Sequence, residues 1–334
     1  MRERGHQMEA ICQPGSGLFC RLTDEGFTVH PLSMDGSVNY VKGVYRVWRL
    51  LSSGQYDVIN THSRRDTVIA AAAARLAGTP LIVRTRHLAK RPGSLWSYTG
   101  LPHKVIAISD YVTQQLLARG VRPNDLDTVF TAVAPLTPAI QSTLRAELRI
   151  EGDALVIGCV GHLRPQKGHR LLLTAIAPLL TSGPDNHLVV AGDGSALESL
   201  KEQARALGCE GRVHFLGRRN DIENVLSGCD IFALATEFEA LGTSFIEAAV
   251  CGLPVVATSV GGVSEVVKNG ETGLLVPYGD VDQLRDALDT LAADGPLRTR
   301  MGKAGAAYIR SERKFTIAGM AESVETAYMR WLAE

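Results

Sequence analysis

Two glutamates set around a short glycine-containing loop are the residues whose types and spacing speak most directly of chemistry. They lie in Ala235–Glu265, ATEFEALGTSFIEAAVCGLPVVATSVGGVSE. The run Asp230–Ala235 reads as a strand that ends in a loop with Glu239 and then Leu241-Gly242-Thr243, and a helical pattern containing Glu247 follows. Backbone N–H groups of Leu241, Gly242 and Thr243 would face out of the helix start, where the helix dipole favours an anion. Gly242 lets a ligand approach the backbone closely. Carboxylates beside an anion site are poor phosphate ligands but good acceptors for hydroxyl groups. Glu239 and Glu247 are therefore candidates for holding a sugar and a ribose. Ser244 and Glu247 also have the S-x-x-E spacing of a capping box, which would give Glu247 a purely structural use.

The elements that must position these residues repeat along the whole chain. In the first half, strand-like runs cover Met8–Cys12, Phe27–Leu32, Tyr56–His62, Leu81–His87, Lys104–Ser109 and Leu126–Val133, with helical patterns at Tyr40–Ser52, Thr67–Ala77 and Asp110–Arg119. In the second half, strands read as Ala154–Gly161, His187–Ala191, Val213–Gly217, Asp230–Ala235, Pro254–Thr258 and Gly273–Pro277. Helices there read as Gly168–Thr181, Ala196–Leu207, Asp221–Ser227, Ser244–Cys251, Val281–Ala292, Leu297–Arg310 and Phe315–Leu332. Several strands are continuously apolar, as strands covered on both faces should be. Strand–helix alternation predicts an α/β chain of two Rossmann-like, doubly wound parallel-sheet domains, joined within Thr137–Asp153. Ligands of such sheets bind beyond the strand carboxyl ends, so two facing domains make a cleft.

Composition agrees. The 334 residues are 45% hydrophobic and 21% charged, which excludes a disordered or collagenous chain and leaves room for two cores. None of the six cysteines forms a C-x-x-C pair, and they read as reduced thiols in mostly apolar settings. The nine histidines are scattered without H-x-x-x-H, and no metal cluster is apparent. Cys12–Gly17 lacks the Lys-Ser/Thr of a P-loop, and no G-x-G-x-x-G follows a strand, which argues against a dinucleotide oxidoreductase. No apolar run reaches the ~18–20 residues of a membrane span. The net charge is zero, but residues 1–150 hold 18 Lys+Arg against 11 Asp+Glu, or +7, and the remainder 17 against 24, or −7. A neutral chain with one basic half argues against general nucleic-acid binding; the asymmetry is either drift between domains or the mark of an anionic partner such as a lipid surface. The loop Arg84-Thr85-Arg86-His87, with Lys90, Arg91, Leu88, Leu95 and Trp96 nearby, is either solvated or suited to anionic lipid or an acceptor phosphate.

Glu239 and Glu247, followed by Gly252-Leu253-Pro254-Val255-Val256 and Gly261-Gly262-Val263-Ser264-Glu265, resemble the signature of the family 4 retaining glycosyltransferases. Asn269–Pro277, Ala191-Gly192-Asp193-Gly194 and His214–Gly217 resemble the same family. The resemblance implies the GT-B fold, with residues 1–148 as an acceptor-side domain, 149–334 as a nucleotide-sugar domain, and helix 315–332 as a candidate to pack back on the first. It implies that Glu239 accepts from donor-sugar hydroxyls and Glu247 from the ribose. Gly161–Gly168, GHLRPQKG, resembles the pyrophosphate clamp, with Lys167 as its lysine and His162 where the family has arginine; Arg164 is a substitute or a solvated cation. A lysine where a helix opens is itself more easily understood beside an anion. His62, closing Tyr56–His62, resembles the family histidine that orients acceptor or sugar, with Arg64, Asp66 and His87 as weaker neighbours. Arg219 and Asp221 are candidates for contacts with the base.

The resemblance further implies transfer from a nucleoside-diphosphate sugar to a saccharide or lipid-linked acceptor, with retention and without metal or other cofactor. The expected setting is cytoplasmic, or peripheral on the inner face of the membrane. Members usually begin with a strand and a glycine loop before a stretch like Arg4-Gly5-His6, so an N-terminal part of the first domain is expected to be missing here. Two alternatives share the fold: a UDP-sugar 2-epimerase, against which the Glu239/Glu247 spacing argues, and a non-catalytic nucleotide-sugar-binding relative or partner subunit.

Overall fold

The computed structural model describes residues 1–134, 138–139, 141–182 and 185–334, and only the backbone of residues 37 and 38. Two compact units result, Met1–Val129 with Ala318–Glu334, and Phe130–Ile317. The division falls after Val129, ahead of the expected boundary at 148/149. The reason is local packing: Leu144 and Ile150 are buried in the core of the second unit, and the Ser142 hydroxyl donates to the Asn224 carbonyl at 2.6 Å. Of the expected Thr137–Asp153 junction, residues 137 and 140 lie outside the described residues.

The first unit holds two parallel sheets. One pairs β1 (Glu9–Cys12) with β2 (Thr28–Pro31). The other is ordered β3 (Val58–Thr61), β4 (Leu81–Arg86), β5 (Lys104–Ala107) and β6 (Leu126–Thr128). Every residue of β4 is buried, as its unbroken apolar start predicts. Helix α1 (Gly17–Asp24), which the sequence did not reveal, is capped by Ser16, whose hydroxyl accepts from the Phe19 N–H at 3.2 Å. Helix α2 (Ser37–Ser53) turns Val47 and Leu51 inward. A π-helical turn, Thr67–Ala71, leads into α3 (Ala72–Ala77). Leu32, Val47, Leu51, Ile69 and Ile82 form the core here, and Ile11 from one sheet and Ile59 from the other pack on it.

The second unit is one six-stranded parallel sheet with order β12-β11-β10-β7-β8-β9. Its strands are β7 (Val156–Val160), β8 (His187–Ala191), β9 (Val213–Gly217), β10 (Ile231–Leu234), β11 (Val255–Thr258) and β12 (Gly273–Val276). β7, β8, β10 and β11 are buried at every residue. The chain winds outward from β7 in one direction and from β10 in the other, so the topological switch point lies between these two strands. Ligands of open α/β sheets bind beyond the strand ends at such a point. Helix α4 (His169–Thr181) follows β7, and α5 (Thr243–Val250) follows β10. The last helix, α6 (Ile317–Leu332), returns to the first unit, where Ala327 and Trp331 join Leu81, Val83, Ile106 and Val129 in a second core. Glu325 of α6 also bonds Arg4 and His6. Five of the cysteines are buried or half-buried as expected, whereas Cys20 is exposed; all six are free thiols.

Candidate active site

The loops leaving β7 and β10 at the switch point are woven together through their backbones. The Glu237 N–H donates to the Gln166 carbonyl at 2.9 Å, and the Thr236 hydroxyl donates to the same carbonyl at 3.2 Å. Gly168, at φ +67°, lies so close to β10 that a Cβ there would sit 1.7 Å from the Ala235 carbonyl oxygen. On the other side, Gly261 and Gly262 press against the segment containing Glu239. The Gly262 N–H donates to the Glu239 carbonyl at 3.0 Å, and a Cβ on Gly261 would meet that carbonyl at 1.9 Å. Gly192 and Gly194 support Gly161 and Leu163 in the same way. The motif glycines are thus the places where one loop backbone contacts another.

This weave brings Lys167 and Glu239 together. Lys167 ends a 3-10 turn, Pro165–Lys167, and its ammonium donates to Glu239 Oε2 at 2.5 Å. The pair is largely shielded, with 25% and 15% of the two side chains exposed. A cation and an acceptor for hydroxyls therefore share one position beyond the switch point. Behind Lys167, His169 is buried, and neither ring nitrogen has a hydrogen-bond partner among the described residues. Burial, then the nearby Lys167 charge, push its pKa down to about 4, so the ring is neutral near pH 7. Sequence reasoning did not single out His169.

Helix α5 starts at Thr243 with Gly242 as its N-cap, at φ +90°, and no side chain caps it. The capping-box use of Ser244 and Glu247 is thereby overturned: the helix begins one residue before Ser244, so Ser244 cannot serve as its cap. The uncapped start leaves backbone N–H groups for an anion. Leu241 is buried and Thr243 exposed. Glu247 is half-buried and has no hydrogen-bond or ion-pair partner among the described residues. Burial alone pushes its pKa up to about 7. A lone, shielded carboxyl of this kind gains from any hydroxyl that donates to it.

The remaining residues named from the sequence fall in several settings. His162 is exposed, with Nδ1 3.8 Å from Asp193 Oδ1, and Arg164 is exposed on the same loop. Arg219 grips Asp221 at 2.6 Å and Glu147 at 2.9 Å, and Asn224 also donates to Asp221. The Arg219 hydrogen bond chiefly, with help from Asn224, holds Asp221 down at about pKa 2. These two charges neutralise each other and fasten the Leu144–Glu147 turn, so base contacts from them would require that fork to open.

In the first unit, His62 and His87 meet beyond the ends of β3 and β4. His62 Nδ1 is 3.0 Å from His87 Nε2, with ring centroids 5.3 Å apart. Desolvation by the surrounding chain lowers the His62 pKa and, with the His62 charge, takes His87 to about 4. Asp66 is a capping residue: its carboxylate accepts from the N–H groups of His62 at 2.9 Å and Ser63 at 2.7 Å. Arg64 is exposed on the same turn. The expected basic loop is corrected in part, because Arg84 and Arg86 are buried. Arg84 stacks 3.9 Å from the Tyr98 ring centroid and donates to the Ser97 carbonyl at 3.0 Å; Arg86 reaches the Tyr98 hydroxyl and the Lys90 carbonyl. Leu88 and Trp96 are exposed.

A doubly wound sheet whose switch point presents a lysine, a glutamate and an uncapped helix start defines a class, the open α/β proteins built to take an anionic ligand beyond their strand ends. The comparison with known proteins narrows it. Residues 140–308 match the family Glycosyl transferases group 1, and residues 1–135 match Glycosyltransferase Family 4. The Escherichia coli UDP-Gal:alpha-D-GlcNAc-diphosphoundecaprenol alpha-1,3-galactosyltransferase is 29% identical over 85% of this chain and 79% of its own length. The Corynebacterium glutamicum GDP-mannose-dependent monoacylated alpha-(1-6)-phosphatidylinositol monomannoside mannosyltransferase is 30% identical over 75% of this chain and 71% of its own. Among solved structures, Anabaena HepE in complex with UDP and glucose superposes with a TM-score of 0.84 at 22% identity, over 96% of this chain and 98% of that one. A glycosyltransferase from Rickettsia africae gives 0.87 at 20% identity, over 99% and 92%. The chain belongs to the group 1 glycosyltransferases and has the GT-B fold.

Proposed function

We propose that the protein moves a sugar from a nucleoside-diphosphate donor to a saccharide or lipid-linked acceptor, with retention of configuration and without a metal ion. The observation that carries this reading is the Lys167–Glu239 pair held beside the uncapped start of α5. On donor binding, the Lys167 ammonium turns from Glu239 to the diphosphate, and the released Glu239 carboxylate accepts from sugar hydroxyls. The N–H groups of Leu241, Gly242 and Thr243 face the same phosphates, and Glu247 accepts from the ribose. The bond between the anomeric carbon and the phosphate oxygen breaks, its electron pair leaving with the nucleoside diphosphate. The acceptor oxygen forms its bond on the face being vacated and passes its proton to the departing phosphate. Losing one contact to that leaving group typically costs ~3 kcal/mol, about a hundredfold in rate.

His162 and Arg164 assist the phosphates from the same loop, Arg219 and Asp221 lie toward the base, and His62 with His87, flanked by Arg64, orients the acceptor. The lipid-linked acceptors named for the two curated relatives, together with the basic first half, favour work at the inner face of the membrane. No helix among the described residues is long and apolar enough to cross one. A second reading, a nucleotide-sugar-binding relative without turnover, is favoured by the placing of His162 beside Asp193 where a clamp arginine would stand.

A thermal-shift screen of UDP-, GDP- and ADP-sugars, followed by transfer assays with an acceptor panel, separates these readings. The proposal expects a shift with one donor class and product with an acceptor. Glu247→Ala should abolish the nucleotide-induced shift more completely than Glu239→Ala. Equal losses would show the roles to be misassigned, and binding without turnover would select the second reading.

A further inference from the structure

His62 and His87 each stand just past a strand end, where loops begin and a chain is free to bend. The His62 turn is held by the Asp66 carboxylate. The His87 turn is held by the strand it leaves. β4 ends in Arg84 and Arg86, two residues apart and so on one side of the strand. Both are 5% exposed, and neither has a carboxylate partner among the described residues. Arg86 donates to the carbonyl of Lys90, four residues on, and so closes a ring around His87, Leu88 and Ala89. Its other terminal nitrogen donates to the Tyr98 hydroxyl. Arg84 donates to the Ser97 carbonyl at 3.0 Å and lies 3.9 Å from the centre of the Tyr98 ring. Gln115 and Arg119 hold the same loop at the Ala89 and Gly93 carbonyls, both at 2.8 Å.

We infer that Arg84 and Arg86 are positioning residues of the acceptor side: by fastening the Leu88–Tyr98 loop to β4 they hold His87 against His62 and set the direction in which the pair meets the acceptor hydroxyl. The inference rests on the acceptor role given to these histidines above. Stability alone does not explain the two arginines. A buried charge without a counter-ion is costly, and apolar residues of similar size would serve a loop core better. Two like charges in one shielded place also repel, and the Nε of each has no hydrogen-bond partner among the described residues. What the guanidinium supplies is a rigid fork that reaches two acceptors at once, which the single ammonium of lysine does not. Loss of that fork frees the chain on either side of His87 and parts the rings, now 3.0 Å apart from His62 Nδ1 to His87 Nε2.

Two variants test this. R86K keeps the charge and removes the fork. Y98F removes only the hydroxyl and keeps the ring under Arg84, so it remains informative where R86K does not fold. The first readout is imidazole titration by NMR without donor or acceptor. In the wild type, burial and then His62 keep His87 at about pKa 4, with Asp66 pulling the other way. In R86K the pair parts, and His87 should titrate toward its ordinary 6.5, with Y98F moving the same way by less. The second readout is kinetic. A ~1 Å misplacement costs about a hundredfold, so kcat/KM for the acceptor should fall by about that much in R86K and about tenfold in Y98F. Donor KM and the donor-induced thermal shift should stay as in the wild type, because Lys167, Glu239 and Glu247 belong to the other unit. An unaltered His87 titration in both variants, or losses falling equally on donor and acceptor, would overturn the inference. A wild type that transfers nothing would refute the transferase reading instead, and the titration alone would then decide whether Arg86 positions His87.

Discussion

Replacing Glu247 with glutamine should stabilise the unliganded protein, and only at high pH. An unfolded chain ionises this carboxyl near its ordinary value of 4.5, whereas in the folded protein burial raises the pKa to about 7. The folded state therefore prefers the protonated acid. Stability is greatest below pH 4.5, falls as pH rises through the window from 4.5 to 7, and is level above it. At 1.36 kcal/mol per unit, the ionised carboxylate costs about 3 kcal/mol at pH 8. Glu247→Gln removes that charge and keeps the shape. Urea denaturation should show the variant up to about 3 kcal/mol more stable at pH 8, the difference shrinking below about 0.5 kcal/mol at pH 4.5. A nucleoside-diphosphate sugar, whose phosphates do not titrate in this range and whose ribose donates to Glu247, prefers the carboxylate, so wild-type affinity should climb between pH 5 and 7 and that of the variant should not. The same offset at both pH values, or no gain at pH 8, would refute the argument that shielding governs this residue.

Four further changes probe the surroundings. Gly168→Ala combines a left-handed backbone with a Cβ 1.7 Å from the Ala235 carbonyl and should cost about 3 kcal/mol or more. Gly270→Ala, at φ +79° with nothing within 4 Å, should cost about 1–2 kcal/mol, and parallel denaturation curves compare them. Lys167→Met strands the shielded Glu239 carboxylate and should cost about 1–3 kcal/mol of stability, while slowing transfer by about a hundredfold in a steady-state assay. Trp331→Ala should destabilise the first unit by about 3–5 kcal/mol, seen as a lowered melting transition, because Trp331 is buried among Leu81, Val83 and Ile106.

Much of the fold was legible because the strands are short apolar runs between turn residues. All twelve predicted strands occur: His187–Ala191 and Val213–Gly217 keep their full spans, and the rest are trimmed at their ends, as with Tyr56–His62 against Val58–Thr61. Helix α1 escaped notice because it follows a glycine-rich loop and buries none of its residues. At the site, the spacing of Lys167, Glu239 and Glu247 was readable, but their relations were not. The S-x-x-E pattern suggested a cap that tertiary structure does not use, since the positive φ of Gly242 starts α5 earlier. Arg84 and Arg86 read as part of an accessible basic loop, solvated or facing an anion, because charge alone gives no hint of Tyr98, which follows in the chain and supplies the ring they stack on. Arg219 and Asp221 could be seen two residues apart, but Glu147, which completes their fork, comes from a distant turn.

The first unit joins its two sheets through shared packing and not through a common ladder. Sheets transmit force along hydrogen-bonded rungs, and between β1 and β3 there are none. What couples β1–β2 to the rest is deformable: Ile11 and Ile59 on one apolar cluster, and the Tyr56 hydroxyl donating to Glu9 at 2.6 Å. Side chains slide where rungs would resist. Shortening Ile11 or removing the Tyr56 hydroxyl should therefore loosen β1–β2 while the amides of the β3–β6 ladder keep their protection from hydrogen exchange.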